Sequence, residues 1–395
     1  MDTGKIIYGK DLMSSRACIC LFSSLYPPSV GGVETYTASI AREFNRLGLD
    51  VIVVTCALRG DEGLSEENGI EVLRLPCRSL LGGRYPIPRN NAAARSWWHW
   101  LNKRHIDFIE VHTRFYPLST KALAFAESKG VTPIVLEHGS AHLTVGNTFA
   151  DKGVQAVEHR ITRHCLRYPA RFYAVSRKAS TWLRHFGIES YGELPNSIDA
   201  DSYVRSASER DYRAELGVPQ DALLATFVGR LVPEKGVRSL AEASRSLGDD
   251  DIVIAIGGDG PLSNELKKFE SPSFRLLGRL DRPDVAALLT QADVACLPSR
   301  SEGFATLLLE AAACGTPSIV TNVGGVDELV SDGDSGVILP DASTQTITRA
   351  LRDASSNIDS LRRKGNAVAQ LVRTEYSWKK TAERTLAACR EANQG

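Results

Sequence analysis

The sequence predicts an α/β protein with two Rossmann-like domains that face each other across a cleft. Short apolar runs alternate with amphipathic runs along most of the 395 residues, which is typical of parallel strands joined by helices. The alternation starts at residue 17 and starts again near residue 223, after a segment rich in charged and small residues. We therefore predict one domain over residues 1–205 and another over 206–375, with a C-terminal helix, 376–395, that packs back on the first domain.

The composition indicates an ordinary globular chain. Hydrophobic residues make up 43% and charged residues 24%, and the formal net charge is zero, so the overall charge gives no indication of nucleic-acid binding. The eight cysteines include no CxxC pair and no His/Cys cluster at zinc spacing, which predicts buried free thiols in a reducing compartment. Because no apolar run approaches the ~20 residues of a membrane span and no signal peptide is visible, we expect a cytoplasmic protein.

Two basic windows interrupt this neutral composition. Residues 72–106 and 159–188 each contain seven Lys or Arg residues and no acidic residue. The first window also contains Trp97, Trp98 and Trp100, in a stretch whose pattern predicts a helix up to residue 105. Basic residues mixed with aromatic ones suit an anionic lipid surface or an anionic acceptor. A solvated helical face over the edge of a Trp-rich core is the alternative, and the sequence leaves both open.

The stretch 298–317 and the apolar run that precedes it together predict a strand, a turn and a helix. The apolar run 293–297 predicts a buried parallel strand, and the run 306–314 predicts a helix. Glu302 falls on the turn and Glu310 on the helix, at most roughly 12 Å apart. Because ligands of open α/β sheets bind at the carboxyl ends of strands, the two glutamates can span a sugar and a ribose. The backbone N–H groups predicted to attract a phosphate belong to Gly303, Phe304, Ala305 and Thr306.

Two further turns carry phosphate-binding chemistry. Gly31 and Gly32 follow the first strand and open a helix, so the backbone there can approach a ligand closely, although a plain turn is the alternative. The loop GRLVPEKG contains Gly229, Arg230 and Lys235. A guanidinium can bond two phosphate oxygens and an ammonium adds a mobile charge, so this loop suits a diphosphate. An ordinary charged surface loop remains the alternative.

Three other features carry weaker signals. His138 ends a strand on the cleft side, which favours a functional role over a structural one. The turn GGDGP, 257–261, lacks the full GxGxxG fingerprint and reads as a strand-end turn lining the same cleft rather than as an NAD site. Asp249, Asp250 and Asp251 precede a strand, at the wrong end of a sheet for chemistry, and read as a solvated turn. There is no GxSxG or HExxH motif.

Together these segments resemble the retaining glycosyltransferases of family 4, which have the GT-B fold. Glu302 and Glu310 match the E-x7-E motif of that family, and the run 298–336 resembles the family over its whole length. Other segments in the order and spacing of the family are PPSVGGVETY, LEHG, VSRKAS, PNSID, VGRLVPEKG and GGDGPL. The resemblance covers residues 17 to 390. It departs at Ala305, where the family often has glycine, and after His138, where many members have an acid, and these departures leave the sugar open.

The resemblance implies roles for the charged residues. Glu310 would bind the ribose hydroxyls, Glu302 would contact the hydroxyls of the donor sugar, and His138 would lie near that sugar. Arg230 and Lys235 would neutralise the diphosphate leaving group. These four, His138, Glu302, Arg230 and Lys235, form the predicted catalytic set.

The resemblance also implies a donor site built largely from backbone. Gly32 would let the loop of the first domain reach the phosphates, and the choice of base would depend on contacts around residues 278–281. The predicted donor-binding set is Gly31, Gly32, Gly229, Arg279, Leu280, Gly303, Phe304, Ala305, Thr306 and Glu310. Two cations and a helix terminus supply the charge that the leaving group needs, so we expect no cofactor and no metal.

We therefore predict a retaining hexosyltransferase that uses a UDP-sugar or GDP-sugar and an acceptor hydroxyl, with the first domain on the acceptor side and the second binding the nucleotide-sugar. The acceptor would be a glycan or a lipid-linked precursor in cell-surface polysaccharide biosynthesis. The expected partners also include an anionic membrane surface at the cytoplasmic face, and exclude nucleic acid. The alternatives are a sugar-nucleotide epimerase of the same two-domain form and a non-catalytic subunit that binds nucleotide-sugars.

Overall fold

The computed structural model describes residues 16–29, 31–142, 148–248, 251–300, 306–330 and 333–394. It contains two separate sheets with helices packed on their faces. Each sheet has its own core of buried apolar side chains, and the two cores share no member. The predicted fold of two Rossmann-like α/β domains is therefore confirmed, whereas the division of the chain at residue 205 stays a prediction.

The first sheet has eight strands in the order β3-β4-β2-β1-β6-β7-β8, with β5 paired to β4. The strands β3 and β5 run antiparallel to β4, and the other pairs are parallel. The strands are β1 (Cys18–Ser23), β2 (Asp50–Ala57), β3 (Gly63–Glu67), β4 (Ile70–Leu80), β5 (Tyr85–Pro88), β6 (Phe108–His112), β7 (Ile134–Glu137) and β8 (Arg171–Ala174). The helices of this half are α1 (Gly32–Arg46), α2 (Ala92–Asn102), α3 (Pro117–Lys129), α4 (Thr148–Cys165) and α5 (Arg177–Arg184).

The second sheet has six parallel strands in the order β11-β10-β9-β12-β13-β14. The strands are β9 (Leu223–Val228), β10 (Ile252–Gly257), β11 (Phe274–Gly278), β12 (Val294–Leu297), β13 (Ser318–Thr321) and β14 (Gly336–Leu339). The helices are α6 (Ala200–Arg205), α7 (Tyr212–Leu216), α8 (Val237–Leu247), α9 (Ser263–Leu266), α10 (Arg282–Gln291), α11 (Thr306–Ala313), α12 (Val326–Leu329), α13 (Thr344–Ser355), α14 (Ile358–Glu375) and α15 (Trp378–Gln394).

The last helix, α15, packs on the first domain. It contacts α1, β6 and β7, and its buried face includes Ala382, Leu386 and Cys389 within the first core. Near its end, Asn393 accepts a hydrogen bond from the N–H of Thr132 and donates one to the carbonyl of Asp107. The chain therefore passes twice between the two domains.

One predicted element was wrong. The basic, Trp-containing stretch is helical only over α2, and the residues before it form the β4–β5 hairpin. The prolines at 76, 86 and 88 explain the difference, because proline removes a backbone donor and clashes with the preceding helical turn. The tryptophans of α2 are half-buried against the first core, and Trp98 stacks on Phe22.

The eight cysteines are free thiols, and seven of them are buried, as the sequence predicted. Over the described ranges, no helix combines the length and the apolar character that crossing a bilayer requires.

Candidate functional site

A cavity of about 600 Å³ lies between the two domains. From the first domain it is lined by one face of α1 along the whole helix, and from the second by α11 and the start of α10. The connecting segment 196–199 and Trp378, at the two crossings of the chain, close it further. Four residues of the predicted donor-binding set are brought together here, namely Gly31, Gly32, Thr306 and Glu310.

The first wall of the cavity is the amino end of α1. Gly31 is the N-cap residue, with extended backbone and no side-chain cap, and it lines the cavity together with Gly32. A Cβ on Gly31 would lie 2.4 Å from a carboxylate oxygen of Glu34, whereas a Cβ on Gly32 would meet no atom within 4 Å. Desolvation raises the pKa of Glu34. The nearest atoms to a Cβ on Gly31 belong to the end of a flexible side chain, so a Cβ could be accommodated at both positions.

The opposite wall carries Glu310 on α11. Its carboxyl group lies beside Tyr203 and Arg282, and the guanidinium of Arg282 stands over the ring of Tyr203 at 5.2 Å from the ring centre. Desolvation raises the pKa of Glu310, and the neighbouring Arg282 and Tyr203 partly offset that rise. The result is a half-buried carboxyl group with acceptor oxygens aimed at the cavity, which suits the two hydroxyls of a ribose.

The carboxyl edge of the second sheet holds the predicted diphosphate loop. The N–H of Gly229 donates to the carbonyl of Gly257, and the N–H of Gly258 donates to the carbonyl of Gly278. A Cβ on Gly258 would lie 1.9 Å from the carbonyl oxygen of Gly229, so three strand ends are packed as bare backbone. Because Gly258 contacts Gly229 and also bonds Gly278, the turn that carries Arg279 lies next to the loop that begins at Gly229. Leu280 belongs to the same edge, because its side chain lies over Gly257.

The loop that carries Arg230 and Lys235 packs directly against the residues that precede the turn of Glu302. Gly236 has a positive φ of 70°, and a Cβ there would lie 2.0 Å from the carbonyl oxygen of Pro298. The N–H of Arg300 donates to the carbonyl of Glu234 in that loop. Arg230 is exposed and Lys235 is half-buried, and neither belongs to the wall of the 600 Å³ cavity.

Several predicted residues fall in segments that are not described. Glu302, Gly303, Phe304 and Ala305 lie outside the described residues, so only one of the two motif glutamates, Glu310, is placed. Two acidic positions of the predicted solvated turn, 249 and 250, also lie outside them. The roles assigned to these residues stay predictions.

His138 follows β7 at the cleft side of the first sheet. Its Nε2 lies 3.1 Å from Nδ1 of His112, and its ring meets Tyr36 edge-on, with 5.0 Å between ring centres. Tyr36 itself lines the cavity, although His138 does not. Burial lowers the pKa of His138 to about 3, so the ring is neutral near pH 7 and acts as a hydrogen-bonding group rather than a cation.

Sequence reasoning missed the polar residues beneath His138. Glu110 and His112 lie in β6 within an apolar run, and both are fully buried. The Oε1 of Glu110 lies 4.0 Å from Nε2 of His112, and neither carboxylate oxygen has a hydrogen-bond partner among the described atoms. Burial raises the pKa of Glu110 to about 8 and lowers that of His112 well below its usual value. Polar residues inside an otherwise apolar strand were the available signal.

We expect Glu110→Gln to stabilise the protein selectively at alkaline pH. The pKa of Glu110 is about 8 when folded against an ordinary 4.5, so its contribution to stability is lost as pH rises through that window. The depressed pKa values of His112 and His138 act in the opposite direction and only below about pH 6.5. Urea unfolding measures the free energy of unfolding of the variant relative to wild type. This difference should therefore be about 2 kcal/mol more favourable to the variant at pH 8 than at pH 6.5.

The matched control is Glu127→Gln, which changes an exposed carboxyl group in the same domain. Its free energy of unfolding relative to wild type should not change between the two pH values. If the difference in free energy of unfolding between Glu110→Gln and wild type is also the same at both pH values, then Glu110 ionises normally in the folded protein.

Sequence reasoning also missed a cluster of three histidines. His142, His159 and His185 are 17 and 26 positions apart, yet one ring nitrogen from each lies within 4.8 Å of the others. The sequence shows no His/Cys cluster at zinc spacing because such spacing captures only ligands that are local along the chain.

The two facing α/β domains define a protein with the GT-B fold. A crystal structure of an Anabaena protein in complex with UDP superposes with a TM-score of 0.69, at 16% identity, over 95% of this chain and 100% of that chain. At this identity the likeness establishes the fold.

Sequence comparison then identifies the family. Residues 30–202 match Glycosyltransferase Family 4, and residues 208–370 match Glycosyl transferases group 1. The D-inositol 3-phosphate glycosyltransferase of Streptomyces bingchenggensis is 31% identical over 94% of this chain and 88% of its own length. A human component of phosphatidylinositol N-acetylglucosaminyltransferase is 25% identical over 93% of this chain and 74% of its own length. The chain therefore belongs to glycosyltransferase family 4 and is a glycosyltransferase.

Proposed function

We propose that this glycosyltransferase moves a hexosyl group from a nucleotide-diphosphate sugar to an acceptor hydroxyl, with retention at the anomeric carbon. The cavity between the domains carries the proposal, because it joins the amino end of α1 to the carboxyl group of Glu310. Its volume of about 600 Å³ falls within the range of small-molecule sites. A nucleoside diphosphate has a ribose at one end and phosphates at the other. The carboxyl group of Glu310 would bind the ribose hydroxyls, and the amino end of α1 on the opposite wall would bind the phosphates.

The diphosphate leaving group would be stabilised by Arg230 and Lys235. Breaking the glycosidic bond places negative charge on the diphosphate, and preorganised cations and N–H donors lower the barrier to that charge development. The packing of their loop against residues 298–300 supports this placement. These groups supply the charge that a metal ion would otherwise provide, so we propose that transfer itself uses no divalent cation.

His138 would bind the transferred sugar as a neutral hydrogen-bonding group. The contact with His112 occupies Nε2, which assigns Nδ1 to the sugar. Glu302 would hold other hydroxyls of the same sugar from the opposite domain. A neutral imidazole adds orientation without adding charge near the anomeric centre, where positive charge develops in the transition state.

The acceptor would carry a lipid portion. An apolar cavity of about 420 Å³ lies in the first domain, between the β4–β5 hairpin and α4. At its rim Leu80, Leu81 and Val157 are between 44% and 51% exposed, which is unusual for large apolar side chains. The human relative carries phosphatidylinositol in its name, which agrees with a lipid acceptor. We accordingly propose action at the cytoplasmic face of a membrane, in cell-surface glycan biosynthesis.

A ligand screen tests the donor part of this proposal. UDP, GDP and ADP are compared by thermal shift, and one is expected to stabilise the protein, because a ligand at 100 times its Kd adds about 2.7 kcal/mol. Transfer from the matching nucleotide-sugar is then followed with and without acceptor, and the anomeric configuration of the product is read by NMR. Sugar conversion without acceptor would favour the epimerase alternative, and binding without any conversion would favour the non-catalytic one.

We expect Glu310→Gln to weaken nucleotide binding by about 10- to 100-fold. Hydrogen bonds to a charged group contribute about 1.5–3 kcal/mol, and 1.4 kcal/mol corresponds to a factor of ten in Kd. Isothermal titration with the nucleotide from the screen measures the change. Glu209→Gln, at an exposed carboxyl group of the same domain, should leave Kd unchanged. Equal affinity of both variants would place the ribose elsewhere.

A further inference from the structure

Three histidines from three separate elements converge at one end of the first domain. His142 follows the loop after β7, His159 lies on α4, and His185 is the C-cap residue of α5. The distances between their ring centres are 5.6, 5.4 and 5.2 Å, which form a nearly regular triangle. For three imidazoles on one tetrahedral ion with Zn–N bonds of about 2.0 Å, the ring centres would be roughly 5 Å apart.

A buried carboxylate orients one of the three rings. The Nδ1 of His142 lies 2.7 Å from Oε2 of Glu158, which is 3% exposed. Metal-ligating histidines usually direct their second nitrogen at a carboxylate in this way, which fixes the tautomer and the ring orientation. The contact with Glu158 thus assigns Nε2 of His142 to an ion at the centre of the cluster.

The surroundings of the cluster match those of a metal site. Trp182 stacks on His185 at 5.0 Å and meets His142 edge-on, and Phe186 packs on His142 and His159. These rings form an apolar wall on one side of the cluster, and His185 is exposed on the other.

The charge behind the cluster also favours a bound cation. Arg114 is fully buried and pairs with both Glu137 and Glu158, so a single guanidinium faces two carboxyl groups. A divalent ion on His142 would add positive charge on the outer side of Glu158. In a low-dielectric interior that charge is attracted to the carboxylate much more strongly than in water.

We propose that His142, His159 and His185 form a binding site for a divalent transition-metal ion, for which Zn²⁺ is the best match. Imidazole ligands suit zinc, and three histidines with an open fourth position are an established zinc geometry. The ion joins α4 and α5 to the loop that begins at His138. That loop is held at its other end by Glu137, which accepts a hydrogen bond from the N–H of Gly139. A bound ion would therefore fix the position of the loop that begins at His138, the residue proposed to bind the sugar.

The test uses the full chain without a polyhistidine tag, stripped with a chelator and titrated with Zn²⁺ against a chromophoric competitor. One equivalent should bind, and its binding should raise the Tm of the stripped protein by several degrees. His159→Ala should lower the affinity at least 100-fold and abolish the rise in Tm. Co²⁺ should give the visible absorption of a tetrahedral site in wild type and lose it in the variant.

The matched control is His164→Ala, which removes a histidine from the same helix that lies outside the cluster. It should bind Zn²⁺ as wild type does. Absence of stoichiometric binding to wild type, or equal binding by both variants, would overturn the proposal and leave the cluster as aromatic packing. Because the readouts are affinity, absorption and Tm, the outcome is independent of whether the donor proposal holds.

Discussion

Replacement of Lys235 by methionine is expected to lower kcat by about 10²–10³-fold while leaving nucleotide affinity nearly unchanged. In the proposed mechanism the ammonium group stabilises negative charge that appears on the diphosphate only as the glycosidic bond breaks. Loss of the ammonium group should therefore raise the barrier of the chemical step. Methionine keeps most of the side-chain volume, and the backbone N–H of Lys235 still donates to Val232. Steady-state transfer rates together with nucleotide titration separate the two effects.

The control for this experiment is Lys267→Met, an exposed lysine in a short 3-10 turn of the same domain. It should retain the kcat of wild type. Turnover of the Lys235 variant at the wild-type rate would show that its charge does not meet the leaving group. A parallel loss of nucleotide affinity would instead place the ammonium on the ground-state diphosphate.

That four residues of the predicted donor site line one cavity could be anticipated from sequence, because each of them follows a strand end. Gly31 and Gly32 follow the first strand, Thr306 and Glu310 follow the strand β12, and parallel strands present their carboxyl ends at one edge. Two such sheets facing each other are then sufficient to bring these four residues into one cavity. Arg230 lies apart from that cavity because of the path of its loop. Hydrophobic periodicity in the sequence does not predict the path of a loop.

What sequence could not predict depends on contacts between distant segments. Part of the hairpin before α2 falls in the stretch predicted as helix, although its prolines argue against a helix. The contact between His112 and His138 arises because β6 and β7 are neighbours in the sheet. The three-histidine cluster needs β7, α4 and α5 to be docked, so its members carry no signal along the chain.

The docking of β7, α4 and α5 also explains why we expect the largest effect on stability at Arg114, a residue that no motif includes. Arg114 follows β6, is 1% exposed, and bonds Glu137 at the end of β7 and Glu158 on α4. Its guanidinium also lies 3.8 Å from the ring centre of Phe186. One side chain thus connects the elements that carry His138 and the histidine cluster.

Arg114→Met is expected to lower the free energy of unfolding of the first domain by about 3–5 kcal/mol. The substitution leaves two buried carboxyl groups without their cation, and an uncompensated buried charge costs far more than a lost surface pair. Urea unfolding followed by tryptophan fluorescence measures this domain, because four of the five tryptophans pack on the first core and Trp182 lies beside Phe186.

Two further variants distinguish lost charge compensation from lost packing. Arg184→Met breaks only an exposed pair with Glu189, 63% and 81% exposed, and should cost at most about 1 kcal/mol. Adding Glu137→Gln and Glu158→Gln to Arg114→Met removes the unpaired charges and should recover part of the loss, since replacing a whole buried ion cluster is far less destabilising than breaking it. If the triple variant is no more stable than the single one, then the stacking of Arg114 on Phe186, rather than its charge, holds these elements together.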